Sequence, residues 1–126
     1  MNFEIISTSK APAAIGPYSQ AVKVGNVIYT SGAIPVNPAT GEVVAGGAAE
    51  QAEQSLKNLG EVLAGAGASL DNVVKTTVFI KNMNDFETIN EVYKKYFTKN
   101  FPARSCVEVA RLPKDVLIEI ECVAVV

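Results

Sequence analysis

FPARSCVEVARLPKDVLIEIECVAVV, residues 101–126, is the stretch on which the fold turns. Two strand-like runs, 103–112 and 116–126, flank the proline-led turn signal Pro113, Lys114 and Asp115, and that pattern predicts a hairpin. Period two sends successive side chains to opposite faces, so Arg104, Cys106 and Glu108 share one face. On the second run Val116, Ile118, Ile120, Cys122 and Ala124 form a wholly apolar face, while Glu119 and Glu121 stand on the other beside Leu117 and Val123. A tight turn at Pro113 and Lys114 would put Arg104 on the same side as Glu119, about four residues out of register. At roughly 3.3 Å of rise per residue, that is on the order of 13 Å between backbones. The separation suits two long side chains reaching toward one small molecule; the plain alternative is a cross-strand charge network on a wet face.

Upstream, residues 84–98 read as a helix. Asn84 and Glu87 are placed as a capping box, and Phe86, Ile89, Tyr93 and Phe97 make the apolar stripe. Asn90 lies on that stripe, either as a satisfied buried amide or as a ligand contact. Residues 72–81 (NVVKTTVFIK) alternate as a β-branched strand, and 48–66 carry Ala49, Ala52, Leu56, Leu59, Leu63 and Ala66 at helical spacing, ended by Gly65 and Gly67. Further back, 21–24 and 27–31 form a hairpin around Gly25 and Asn26, both expected at positive φ. Residues 3–6 make a short opening strand, and 34–47 a loop with an extended piece at 42–44. Tyr18, just after Gly16 and Pro17, is either packed or a pocket rim residue. Ser31 and Gly32 end a strand with small residues that admit a ligand or another backbone.

The order β, β, β, α, β, α, β, β predicts one α+β domain, residues 1–126, with right-handed crossovers and two helices on one face of a mixed sheet. No helix remains for the opposite face. With 48% apolar and only 19% charged residues, a second subunit is the expected cover, the alternative being a sheet enclosed between helices.

Eleven basic against thirteen acidic residues, a formal charge of −2, leave no basic patch for nucleic acid. The opening MNFEIISTSKAPAA has no positive n-region before an apolar core, and no run approaches a membrane span, so the chain is expected to stay where it is made. Cys106 and Cys122 sit in strand interiors, which suggests free thiols in a reducing cytoplasm. Histidine is absent, removing imidazole as base or metal ligand. Neither GxxxxGK[ST] nor GxGxxG occurs, and no nucleotide site is expected.

Four blocks, IGPYSQA (15–21), TSGAIPVNPATGE (30–42), VVKTTVFIKNMNDF (73–86) and FPARSCVEVARLPKDVLIEIE (101–121), closely resemble the RidA (reactive intermediate deaminase A, YjgF) family in the expected order. The resemblance runs from about Ala11 to the C-terminus; only the short 99–101 segment looks trimmed against some relatives. It implies a homotrimer of chorismate-mutase-like subunits, with sheets in a central barrel, helices outside and clefts between subunits. The implied activity is hydrolysis of 2-aminoacrylate-derived enamines and 2-imino acids, as a 2-iminobutanoate/2-iminopropanoate deaminase without metal or organic cofactor, which protects pyridoxal-phosphate enzymes. Carried over by position, Arg104 holds the substrate carboxylate and Glu119 positions or activates water. Cys106 lies beside the cleft, contributing its backbone rather than its thiol; Tyr18, Ser31, Gly32 and Asn90 line it. A planar, permanently charged guanidinium suits bidentate carboxylate binding. Two other classes stand beside this one: a non-catalytic module that binds a small keto acid, and cleavage of RNA, which the acidic balance and missing histidine disfavour.

Overall fold

A computed structural model describes residues 2–126. Six strands, β1 (Glu4–Ile6), β2 (Ala21–Val24), β3 (Val27–Thr30), β4 (Val73–Ile80), β5 (Ala103–Glu108) and β6 (Ile118–Val125), form one mixed sheet in the order β1-β2-β3-β6-β4-β5. Every neighbouring pair is antiparallel except β4 and β5, which run parallel. Helices α1 (Ala48–Gly65) and α2 (Phe86–Tyr96) supply the connections from β3 to β4 and from β4 to β5. The expected element order and the α+β class therefore stand.

The hairpin expected at 103–126 does not form. Strand β4 lies between β5 and β6, pairing Thr76 with Arg104 on one side and Phe79 with Glu119 on the other. The nine residues 109–117 are long enough to step over the end of β4, where Val109 donates its N–H to the Ile80 carbonyl and Lys81 donates to the Leu117 carbonyl. Pro113 opens a short 3-10 turn rather than a two-residue loop, with Lys114 and Asp115 both at positive φ, 57° and 54°.

This pairing reverses a further expectation. Arg104 shares a face with its β4 partner Thr76, whose side chain points to the helices, whereas Glu119 shares the opposite face with Phe79. The two residues stand on opposite faces of the sheet. Nor do they form a charge network: the ion pairs among the described residues involve neither.

The apolar face read for the last run is correct: Val116, Ile118, Ile120, Cys122 and Ala124 are all buried, and the last four share one core cluster with Ala52, Leu56, Leu59 and Leu63 of α1. Helix α1 starts where the Glu50 carboxylate accepts the Gly47 N–H at 2.8 Å. It ends in a Schellman motif, with Ala68 N–H on the Leu63 carbonyl, Gly67 N–H on that of Ala64, and Gly67 at φ 79°. The start of α2 differs from expectation. Asn82, not Asn84, gives the cap, accepting the Asn84 N–H for a 3-10 turn (Met83–Asp85) that feeds the helix. In the β2–β3 turn only Gly25 has positive φ, 59°; Asn26 does not.

Among the described residues no helix covers the other side of the sheet. Ile5 there is 63% exposed and Tyr29 49%, and Val107 also faces out. Cys106 and Cys122 are free, and with β4 between their strands and a two-residue offset along them they lie roughly 11–12 Å apart, beyond disulfide reach. Among the described residues no helix is long and apolar enough to cross a membrane.

Candidate active site

The seven residues singled out in the sequence fall into two groups. Tyr18, Ser31, Gly32 and Glu119 line one cavity of about 650 Å³; Arg104, Asn90 and Cys106 gather between β5 and α2. Within one copy of the chain the groups do not meet.

The first group is built by the loops before β2 and after β3. Gln20 pins the incoming loop: its side-chain oxygen accepts the Thr8 N–H at 2.7 Å, and its amide donates to the carbonyls of Thr8 and Pro12. Asn58, buried on α1, donates to the carbonyls of Ile34 and Val36 and so fixes the outgoing loop. Ser31 donates its hydroxyl to the Ser19 carbonyl at 2.6 Å, which leaves it only acceptor capacity toward a ligand. Tyr18 is exposed at the rim, its ring lying against Gly16.

Glu119 lies directly over Gly32. A Cβ built on Gly32 would come within 2.4 Å of Oε2 and 2.5 Å of Cδ of Glu119, so only glycine lets the carboxylate lie there. Burial first, and the like charge of Glu121 second, raise the Glu119 carboxyl above its ordinary range. Such a carboxyl holds and releases a proton closer to neutrality than an exposed glutamate does.

In the second group, Arg104 reaches α2, where Nη1 donates to Asn90 Oδ1 at 2.7 Å. Its guanidinium carbon lies 5.4 Å from the Phe86 ring centre and 4.8 Å from that of Tyr93. One of the guanidinium's five N–H groups is thus committed and four remain for a ligand, enough for a bidentate grip on a carboxylate. Burial raises the Cys106 thiol, an effect the Arg104 charge only partly offsets; the group stays a neutral thiol near pH 7 and is no ready nucleophile. Burial likewise pushes the Cys122 thiol up to about 11. Among the described residues no cluster of His, Cys, Asp or Glu could hold a metal ion.

Reading the sequence missed Phe86 and Tyr93 as site residues, because their helical spacing marked them as core. It also missed the two amides, Gln20 and Asn58, that hold the cavity loops. Gln20 follows the Gly16–Pro17 loop directly, which was the available signal for it, whereas Asn58 stands in the middle of α1 and nothing in its spacing marks it as a loop anchor.

Comparison with known proteins shows the family to which the chain belongs. The family model described as endoribonuclease L-PSP matches residues 8–126. The 2-iminobutanoate/2-iminopropanoate deaminase of Escherichia coli K12 is 61% identical over 123 residues, covering 95% of both chains. The human protein of the same name is 59% identical over 121 residues, 96% of this chain and 88% of its own. Among solved structures, E. coli TdcF with bound serine superimposes with a TM-score of 0.94 at 52% identity, covering 98% of each chain. The chain belongs to the endoribonuclease L-PSP family, the RidA/YjgF family that its four sequence blocks resemble.

Proposed function

We propose that this chain hydrolyses 2-iminopropanoate, 2-iminobutanoate and related enamine-derived imines to 2-keto acids and ammonia, and so protects pyridoxal-phosphate enzymes from 2-aminoacrylate. The observation that carries the reading is Arg104: a guanidinium held between two aromatic faces with four N–H groups free, in a chain about 60% identical to proteins named for that activity. Arg104 grips the carboxylate and fixes C2. A water held by Glu119 bonds through its oxygen to C2 as the C=N bond opens and one of the water's protons passes to nitrogen; the remaining hydroxyl proton then passes to nitrogen as the C–N bond breaks, so ammonia leaves and the keto oxygen remains. Glu119, with its raised pKa, exchanges protons with water or nitrogen, a task worth roughly 10²–10⁴-fold. Tyr18, Ser31 and Gly32 line the Glu119 side of the cleft, and Asn90 and the Cys106 backbone the Arg104 side.

The reading requires a second copy. The Arg104 group sits at the β5 edge of the sheet and the Glu119 cavity near the start of β6, so the two patches meet across an interface between copies, and a head-to-tail contact whose rotation closes makes a ring. A homotrimer is the ring proposed, its barrel lined by the open sheet face that leaves Ile5 and Tyr29 uncovered. A reducing cytoplasm is the compartment assumed, which two free thiols suit. A non-catalytic carboxylate-binding module is the second reading, favoured by the serine held in TdcF.

The test follows 2-iminopropanoate, made in place from serine by a dehydratase, with and without the protein and its Arg104→Ala variant. Faster pyruvate formation, lost in a variant that keeps its assembly state, is the expected result. No acceleration by the folded wild type would favour the binding module.

A further inference from the structure

The reading above needs the Arg104 guanidinium at a fixed angle, yet β5 is an edge strand and its arginine is long and only half-buried. Phe86, Asn90 and Tyr93 occupy positions i, i+4 and i+7 of α2 and therefore share one face. The guanidinium carbon lies over both rings of that face, 5.4 Å from the Phe86 centre and 4.8 Å from that of Tyr93. The guanidinium lies between the two rings, with Asn90 taking one N–H at the hinge.

Both jaws are tied to the sheet. The Tyr93 hydroxyl is 2.8 Å from Thr76 Oγ1, a hydrogen bond between buried groups, and the Thr76 side chain is fully buried. Thr76 is also the residue on β4 that pairs with Arg104. A closed circuit results: the Thr76 backbone registers Arg104, its hydroxyl fixes the Tyr93 ring, and the ring fixes the guanidinium. On the other side, Glu108, four residues after Arg104 and on the same face of β5, accepts the Met83 N–H at 2.8 Å at the turn leading into Phe86.

We infer that Tyr93 and Phe86 form a clamp that positions Arg104 for the substrate carboxylate, locked by Thr76 on one side and by Glu108 on the other. These are positioning residues, acting through Arg104. The inference rests on Arg104 being the carboxylate anchor. Because the carboxylate is bound alike before and during reaction, loosening the clamp raises KM and leaves kcat nearly unchanged. Fold loss or a general structural defect would not split the constants this way.

The test measures kcat and KM for 2-iminopropanoate and the Kd of 2-oxobutanoate in Thr76→Val, Tyr93→Phe, their double variant, Glu108→Ala and Arg104→Ala, with Tm recorded for each. Thr76→Val and Tyr93→Phe should each raise KM and Kd about three- to tenfold, the range of one buried hydrogen bond, with kcat within about twofold. The double variant should be no worse than the worse single, since both break the same bond. Glu108→Ala, at the surface and outside the core, should raise KM in the same sense. Unchanged KM and Kd in the folded variants while Arg104→Ala loses binding would overturn the clamp and leave the anchor standing. Retained binding in Arg104→Ala would overturn the anchor itself.

Discussion

Gly32→Ala isolates the Glu119 carboxylate from everything else in the molecule. Gly32 does not adopt a positive φ, so alanine costs no backbone strain there. Its methyl would stand 2.5 Å from Glu119 Cδ and 2.7 Å from Cγ, where ordinary contact begins at 3.4 Å, so the carboxylate must retreat by about 1 Å. The obstruction is the end of a flexible side chain, and the gain from a less flexible unfolded chain, about 0.4–1 kcal/mol, offsets the repacking. Stability should change by no more than about 1 kcal/mol, or about 5 °C in Tm for a chain of this size. Activity should not be spared. Displacing a catalytic group by about 1 Å costs on the order of 10²-fold. In the coupled serine dehydratase assay kcat should fall by about that factor, while the Kd for 2-oxobutanoate, set by Arg104, stays near wild type. Wild-type kcat in the folded variant would refute the role given to the carboxylate's position. A Tm loss well beyond 10 °C would show instead that Gly32 faces something stiffer than a side-chain end.

Glu119→Gln should lower kcat more than it raises KM, and an effect confined to KM would recast the residue as a binding group. It should also stabilise the fold near pH 7. Folding raises the Glu119 pKa, so the folded chain holds this proton longer than the unfolded one, and stability falls as pH climbs from the unfolded toward the folded value. The variant's Tm should exceed that of the wild type above that window and converge with it below; a lower Tm at neutral pH would contradict the burial argument. Gln20→Ala removes three hydrogen bonds that hold the loop over the cavity, at a net cost of about 2–3 kcal/mol by thermal or urea unfolding. A change below about 0.5 kcal/mol would show that the loop is held by other contacts.

Period and propensity made most of the elements readable. The buried face of β6 and the stripe of α1 could be read residue by residue, because each depends only on side-chain spacing along one element. Partner choice between strands does not. A proline turn between two alternating runs is compatible with direct pairing and equally with a third strand slipped between them. The chain itself held a clue: β6 keeps Leu117 and Val123 on the side of its glutamates, as a central strand would. β5, with Arg104, Ser105 and Glu108, has the polar pattern of an edge. Reading the two runs as a hairpin put Arg104 on the face of Glu119, whereas β4 slipped between them puts the two on opposite faces. The clamp around Arg104 was out of reach for a similar reason. Phe86 and Tyr93 were visible as one helix face, but nothing along α2 says that an arginine from β5 enters between them.

Mixing two inactive variants tests most directly whether the site takes Arg104 from one copy and Glu119 from the next. Arg104→Ala and Glu119→Gln chains, unfolded together in equal amounts and refolded, should regain activity. In a head-to-tail trimer about three quarters of the rings are mixed and each holds one intact junction in three, so about a quarter of wild-type turnover is expected. Activity no greater than that of the two variants refolded apart, with mixed rings demonstrated by mass, would contradict the shared site.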